Sequence, residues 1–238
     1  MIKKIFIVFI SLFISLVIIS CSDDDSNPTG PEGNQAKELS LKEIQPPAAM
    51  QQSSNPHAQA AVMWLNLANS FKSYSAFYTP QDNLNKLFKT NDEWTSTWMV
   101  DALQITMDYF EDALSYGWQI FLNGTDGEFT YADWLYMEAE QNIDDSYGQL
   151  KVYKPVTTEV AMQWDWSTAA SSGIYYFNLF ILDNTSEKLE IVSNPDNSGE
   201  ISYYSDQILQ TKISWTNAGT GYFWEYDESG NVIDEGPF

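Results

Sequence analysis

No arginine occurs anywhere in this chain, and cysteine and histidine occur once each, as Cys21 and His57. Each shortage removes a class of chemistry. Bidentate recognition of phosphate or carboxylate depends on the guanidinium fork, so phosphorylated and acidic ligands are poor candidates. Eleven lysines stand against 33 acidic residues, and a nucleic-acid binder needs a basic footprint to displace counterions. Anionic lipid headgroups are repelled for the same reason, whereas neutral or cationic partners are not. One cysteine cannot close a disulfide within the chain. One histidine and one cysteine do not furnish the usual zinc or transition-metal ligand sets. A Ser-His-Asp triad would have to use His57 itself. The patterns G-x-S-x-G, S-x-x-K, G-x-G-x-x-G and the P-loop are missing. What is plentiful is apolar and aromatic: 44% and 15% of 238 residues, ample for a packed core without cross-links.

The N-terminus reads as an address. Lys3 and Lys4 precede an apolar run, Ile5 to Ile19, broken only by Ser11 and Ser15. That length suits a secretory h-region and falls short of the ~20 residues of a spanning helix. The run ends in Ile18-Ile19-Ser20-Cys21, which resembles the lipobox of bacterial lipoproteins. The resemblance implies cleavage before Cys21, a thioether-linked diacylglycerol on its sulfur and acylation of the new N-terminus. One acyl chain holds a protein only reversibly, while two or three make a stable anchor. Ser22-Asp23-Asp24-Asp25 is similar to the acidic export tag on surface lipoproteins of Bacteroidota. That similarity implies an outer-membrane anchor with the body facing outward; the alternative is a solvated acidic spacer on a periplasm-facing anchor. Cleavage would leave nine lysines against the same 33 acids, a net charge of −24.

Beyond Cys21 the expected organisation is a signal peptide at 1–20, a flexible acidic and proline-rich tether at 21–55, and a single domain at 56–238. Seven prolines and glycines between Pro28 and Pro56 mark the tether, with Lys37 to Ile44 able to form one fragile helical turn. His57 to Tyr74 predicts a helix: Asn55 caps it, Pro56 takes the first position, and Ala61, Trp64, Leu65, Ala68 and Phe71 share a face. Thr90 to Ser115 has two readings. A capping box at Thr90 and Glu93 with 3–4 spacing gives a helix; strict alternation in Trp94–Trp98 and Leu103–Tyr109 gives strands, which the Thr and aromatic content favours. From Tyr116 onward short alternating runs are separated by Gly/Asn/Asp turns, including Asn123-Gly124-Thr125-Asp126-Gly127 between predicted strands 117–122 and 128–134. Ile174–Leu182 is apolar on both faces and predicts a central strand.

The fold class expected is therefore mainly β: an antiparallel up-and-down meander of about ten strands, forming a lipocalin-like barrel or curved half-barrel, with one N-terminal helix. The body, with its W-x-W strand pairs and aromatic–glycine hairpins, resembles uncharacterised β-meander lipoproteins. That resemblance carries no functional residues with it.

Carboxylates are the only abundant reactive groups. A glycosidase needs two flanking a sugar; Glu138 and Glu140 have same-face strand spacing, and Asp133 and Asp165 neighbour tryptophans. The runs beginning at Asp183, Asp196 and Asp227 offer oxygen ligands for calcium without matching an EF-hand loop, and hairpin turns select the same residues for backbone reasons. Tryptophan and tyrosine are common at binding surfaces. Trp164 and Trp166 share one strand face, while Trp215 and Trp224 flank the last long hairpin, so these four are the candidate ligand contacts. The expected function is a non-enzymatic, lipid-anchored binding or accessory module for a neutral glycan or lipid, without metal or cofactor. The membrane is reached through acylated Cys21, nucleic acid is not a partner, and oligomeric state is open. Alternatives are an interaction protein that presents its sheet to an envelope partner and, more distantly, a carboxylate glycosidase.

Overall fold

In the computed structural model the alternating segments become one antiparallel sheet. The structure describes residues 37–74, 86–88, 93–182 and 186–238; the expected signal peptide at 1–20, Cys21, Ser22-Asp23-Asp24-Asp25 and the Asp183-Asn184 pair lie outside them. The strands are β1 (Lys86–Phe88), β2 (Glu93–Val100), β3 (Leu103–Glu111), β4 (Ser115–Thr125), β5 (Thr130–Asn142), β6 (Tyr147–Tyr153), β7 (Val160–Thr168), β8 (Tyr175–Ile181), β9 (Glu187–Ser193), β10 (Gly199–Ser205), β11 (Ile208–Trp215), β12 (Gly221–Tyr226) and β13 (Val232–Pro237). Each pairs only with its sequence neighbours, in the order β1 to β13. The meander is thus confirmed, with thirteen strands among the described residues rather than about ten. It is an open sheet and not a closed barrel: β1 and β13 are its two edges among the described residues. Within the ambiguous 90–115 region, residues 93–100 and 103–111 form β2 and β3, so tertiary pairing favours the period of two over the helical spacing.

Two boundaries differ from expectation. Asn123 and Gly124 do not turn; they extend β4, and the reversal falls at Asp126–Phe129. The two strands expected at 128–134 and 136–139 are one long β5. Register shifts at Ile120/Phe121 and Leu122/Gly124 place extra residues on β5, including Asp133 at φ 49°. Bulges of this kind keep the ladder intact while the strand bends, so irregular alternation here marks a bent strand and not a break.

Successive side chains alternate between faces, and one face is apolar along nearly its whole width. Trp94, Ile105, Met107, Trp118, Ile120, Met137, Leu150, Trp164, Trp166, Phe177, Leu179, Ile191, Ile201 and Ile213 are all at most 2% exposed. Large rings on that face need space from their neighbours. Gly148 lies opposite Trp166 and Gly199 opposite Trp215, and a Cβ at either glycine would fall within 2.5 Å of the facing indole. The glycines are the hollows into which the tryptophans fit.

The apolar face is covered from one side by the N-terminal part of the domain. Residues 37–47 run extended across it, followed by α1 (Ala48–Gln51), α2 (Pro56–Ala68) and a 3₁₀ turn, Asn69–Tyr74. The stretch 37–55, read from composition as the end of the tether, is therefore packed on the body. Lys37–Ile44 is a strap and not a helical turn. Its backbone is held by groups from the sheet: Ser40 N–H donates to the Gln141 side chain at 2.7 Å, Lys42 N–H to the Tyr175 hydroxyl at 3.1 Å, and the Tyr116 hydroxyl donates to Glu38 O at 2.8 Å. Ile44 and Met50 are buried.

Helix α2 begins as its sequence predicts. The Asn55 side chain accepts from His57 N–H at 2.8 Å and Ala58 N–H at 3.4 Å, with Pro56 at the first position. Ala58, Ala61 and Ala68 are fully buried; their small side chains let the helix approach the sheet closely. Trp64 stacks on Tyr203 at 5.3 Å and His57 on Phe223 at 3.4 Å between ring centroids. At the far end Asn69 closes a two-bond bridge with Ile44, accepting its N–H and donating to its carbonyl, both at 3.0 Å. This pair locks the helix to the strap.

Candidate binding face

The sheet's second face has no such cover among the described residues, and its side chains are polar and aromatic. The registers align one row across ten strands, from Trp224 on β12 through Lys212, Ser202, Glu190, Asn178, Asp165, Gln149, Glu140 and Gly117 to Phe110 on β3. Lysines on this face are engaged by neighbouring carboxylates: Lys151 with Glu138 at 3.1 Å, Lys212 with Glu200 at 2.9 Å, and Lys188 with Glu190. Asp165 accepts from the amides of Gln149 and Gln163, each at 2.9 Å. Lys151–Glu138, Lys212–Glu200 and Gln149–Asp165 are cross-strand pairs, which stabilise a sheet by a few tenths to ~1 kcal/mol each; the other two pairs lie along one strand.

Glu138 is the centre of the densest cluster. It accepts from the Tyr153 hydroxyl at 2.7 Å, from Lys151 at 3.1 Å and from Gln119 at 3.3 Å. Partial burial raises its pKa, but the three donors together outweigh burial and hold the carboxyl below the ordinary range. Burial first, and the Glu138 charge second, push the Tyr153 hydroxyl up. Glu138 is thus a fixed anion. Burial likewise raises Glu190 while Lys188 and Tyr204 lower it further.

Beside this cluster the sheet surface dips. Gly117 has no side chain, and the Phe110 ring leans over the vacant position, its Cζ 2.8 Å from where a Cβ would stand. A hollow of about 130 Å³ lies between Phe110, Gln119, Glu138, Glu140, Gln149 and Lys151. A second, of about 200 Å³, is lined by Glu93, Asp108, Tyr109, Phe110 and Gln119. Phe110 and Gln119 line both, so the two form one shallow groove across β2 to β6.

The groove offers a hydrocarbon ring, amide donors and acceptors, and ionised carboxylates. It does not offer a proton donor from Glu138, which is kept charged. Glu138 and Glu140 are two residues apart on one strand, about 6.6 Å along the backbone, and stand side by side rather than across a cleft. Among the described residues no group of three His, Cys, Asp or Glu side chains comes together as a metal site. The turn aspartates bind their own loops: Asp196 accepts from Ser198 N–H at 3.0 Å, and Asp227 from Ser229 and Asn231 N–H at 2.9 Å.

The four candidate tryptophans are not brought together. Trp164, Trp166 and Trp215 belong to the covered apolar face, 0%, 1% and 4% exposed. Their indole N–H groups are satisfied inside, by Ala68 O at 3.0 Å, Ser40 Oγ at 3.2 Å and Asn197 O at 2.9 Å. They are packing residues, for the physical reason that an alternating strand turns every second residue toward the helix and strap. Trp224 alone lies on the open face, half-buried, tilted against Tyr222 at 4.8 Å with Lys212 over its ring at 5.8 Å. The groove residues Phe110, Gln119, Gln149 and Lys151 carry no motif, and only the strand registers reveal that they meet. No protein-family model and no curated protein sequence matches this chain.

Proposed function

We propose that this chain is an exported lipoprotein, anchored through acylated Cys21, whose body is a non-enzymatic binding module that recognises a neutral glycan on the open face of its sheet. One observation carries the reading: the strap and α2 seal the apolar face, while the polar, aromatic face keeps a groove and fixed hydrogen-bonding groups. The sealed core favours a glycan over a lipid, because three of the tryptophans that could have lined an apolar cavity are packed against strap, helix and turn. The acidic balance of the chain disfavours anionic ligands.

The anchor and the orientation belong to the same proposal and rest on Ile18-Ile19-Ser20-Cys21 and the acidic residues after it. Cys21→Ser is expected to release the protein from the membrane fraction, and unchanged fractionation would remove the anchor. Added protease is expected to degrade the protein on intact cells; protection until lysis would place the body on the periplasmic side. For the ligand, a panel of neutral and anionic glycans titrated onto the full-length protein is expected to yield binding to neutral members only.

A second reading, an interaction protein that pairs through a sheet edge, has one observation in its favour. Edge strand β13 exposes Val232 and Ile233, 48% and 63% accessible, a feature natural edges usually avoid. Cross-linking to an envelope protein through β13, without glycan binding, would favour it.

A further inference from the structure

We infer that the groove beside Phe110 and Gln119 is a subsite for one pyranose-type unit of a neutral glycan, with Phe110 as its platform; this deepens the glycan-binding reading above and rests on it. Phe110 lines both hollows, and its ring is held low on the sheet because it occupies the space that Gly117 leaves, Cζ 2.8 Å from where a Cβ would stand. No larger residue fits at Gly117, since a Cβ there would stand 2.1 Å from Ala139 O, so the seat of the Phe110 ring is kept. The half-buried Phe110 ring supplies a flat hydrocarbon surface against which the C–H face of a sugar ring can lie.

Around that ring stand groups suited to hydroxyls, which donate and accept at once. Glu138 is an acceptor whose position is set by Tyr153, Lys151 and Gln119. The Gln149 amide is likewise oriented by Asp165. Such groups need little reordering when a ligand arrives, which removes part of the cost of binding. Lys151 already faces Glu138, so the groove has no spare cation for a carboxylate or sulfate. Glu138 and Glu140 repel anions, and uronate or sulfated sugars are therefore excluded. The hollows, about 130 and 200 Å³, are on the scale of one sugar ring, and their polar lining suits hydroxyls better than a hydrocarbon chain.

The test uses the full-length lipoprotein in a non-glycosidic detergent, titrated by calorimetry with neutral gluco-, manno- and galacto-configured oligomers and with hexuronate oligomers. The wild type is expected to bind a neutral oligomer at least tenfold more tightly than its uronate counterpart. Phe110→Ala and Gln149→Ala are each expected to weaken binding at least tenfold, and the distant Ile208→Ser less than twofold. Thermal melts of each variant separate loss of the site from loss of the fold. Because Phe110 also covers Gly117, Gln149→Ala is the decisive variant if Phe110→Ala unfolds. Neutral-glycan binding that survives in folded Gln149→Ala and Phe110→Ala, or that is lost only in Trp224→Ala, overturns this subsite and leaves the glycan-binding reading standing. Absence of neutral-glycan binding by the wild type, or binding of a lysine-rich peptide in its place, overturns both.

Discussion

The indole of Trp166 fills the space that a side chain on Gly148 would need. The two residues are directly opposite on β6 and β7, and a Cβ on Gly148 would come within 2.3 Å of Trp166 Cζ2. Trp166 is itself 1% exposed and donates to Ser40 Oγ at 3.2 Å, so it has no free direction in which to retreat. Glycine normally weakens a strand; here it is the condition for seating a tryptophan beneath the strap.

Gly148→Ala should therefore destabilise the fold although alanine is the smallest possible addition. Overpacking of a well-filled core costs ~1–3 kcal/mol, and urea denaturation should show a loss in that range. Gly148 itself has no positive φ, so its loss reports the clash alone, and a Gly148→Ala variant as stable as the wild type would mean that the indole can move aside.

The strap contributes to stability rather than merely leading to the domain. Ile44 is 4% exposed and its backbone is bridged by Asn69. Ile44→Ala is expected to cost ~2–4 kcal/mol, and a chain beginning at residue 55 should melt well below one beginning at 37. Identical melting of the two would show that the strap's contacts add nothing.

Stability should fall at both ends of the pH scale, with separate causes. The folded-state pKa values of Glu138 and Glu190 are lowered, their donors outweighing burial. Their contribution is complete above the unfolded value of ~4.3 and disappears as pH falls through the folded value. Burial first, then neighbouring carboxylates, push the Tyr116 and Tyr204 hydroxyls up to about 12. Their contribution is complete below the unfolded value of ~10 and is lost as pH rises through about 12. Denaturation midpoints measured against pH should show the acid limb flattened by Glu138→Gln and the alkaline limb flattened by Tyr204→Phe. Unchanged limbs would assign the pH dependence to other groups.

Val156 sits at φ 58° in the exposed β6–β7 loop. A β-branched residue in the left-handed region is strained by ~1–2 kcal/mol, whereas Asn tolerates it. Val156→Asn is expected to raise stability by about 1 kcal/mol in urea denaturation, and a loss would mean that the valine side chain makes a compensating contact.

Much of the fold was legible in local sequence. The shared face of Trp164 and Trp166 and the doubly apolar run 174–182 gave strands, Asn55-Pro56 gave the start of α2, and alternation in 103–109 outweighed its competing helical spacing. Bulges defeated the same method: around Asp133 one long strand reads as two, because an extra residue reverses the phase of alternation without ending the hydrogen bonding. The strap was hidden for a different reason. Lys37 to Pro47 carries little apolar periodicity, and its binding comes from backbone groups meeting Tyr109, Tyr116, Gln141 and Tyr175, partners far away in the chain. The candidate tryptophans show the limit for sites: two on one strand face share an environment, but nothing local says whether that face is open or covered.

The sequence alone determined what the folded body lacks. With no arginine, one histidine and one cysteine, the guanidinium fork, the usual multi-His or multi-Cys metal sets and an intrachain disulfide are missing in any fold, because those chemistries need particular atoms. It also determined the meander, since alternation and turn residues act over a few neighbours. Only the tertiary structure decided which face faces in, because that depends on where the strap and α2 settle. It alone made the groove, because Phe110, Gly117, Glu138 and Gln149 become neighbours through the registers of four strands and through no pattern that any one strand carries.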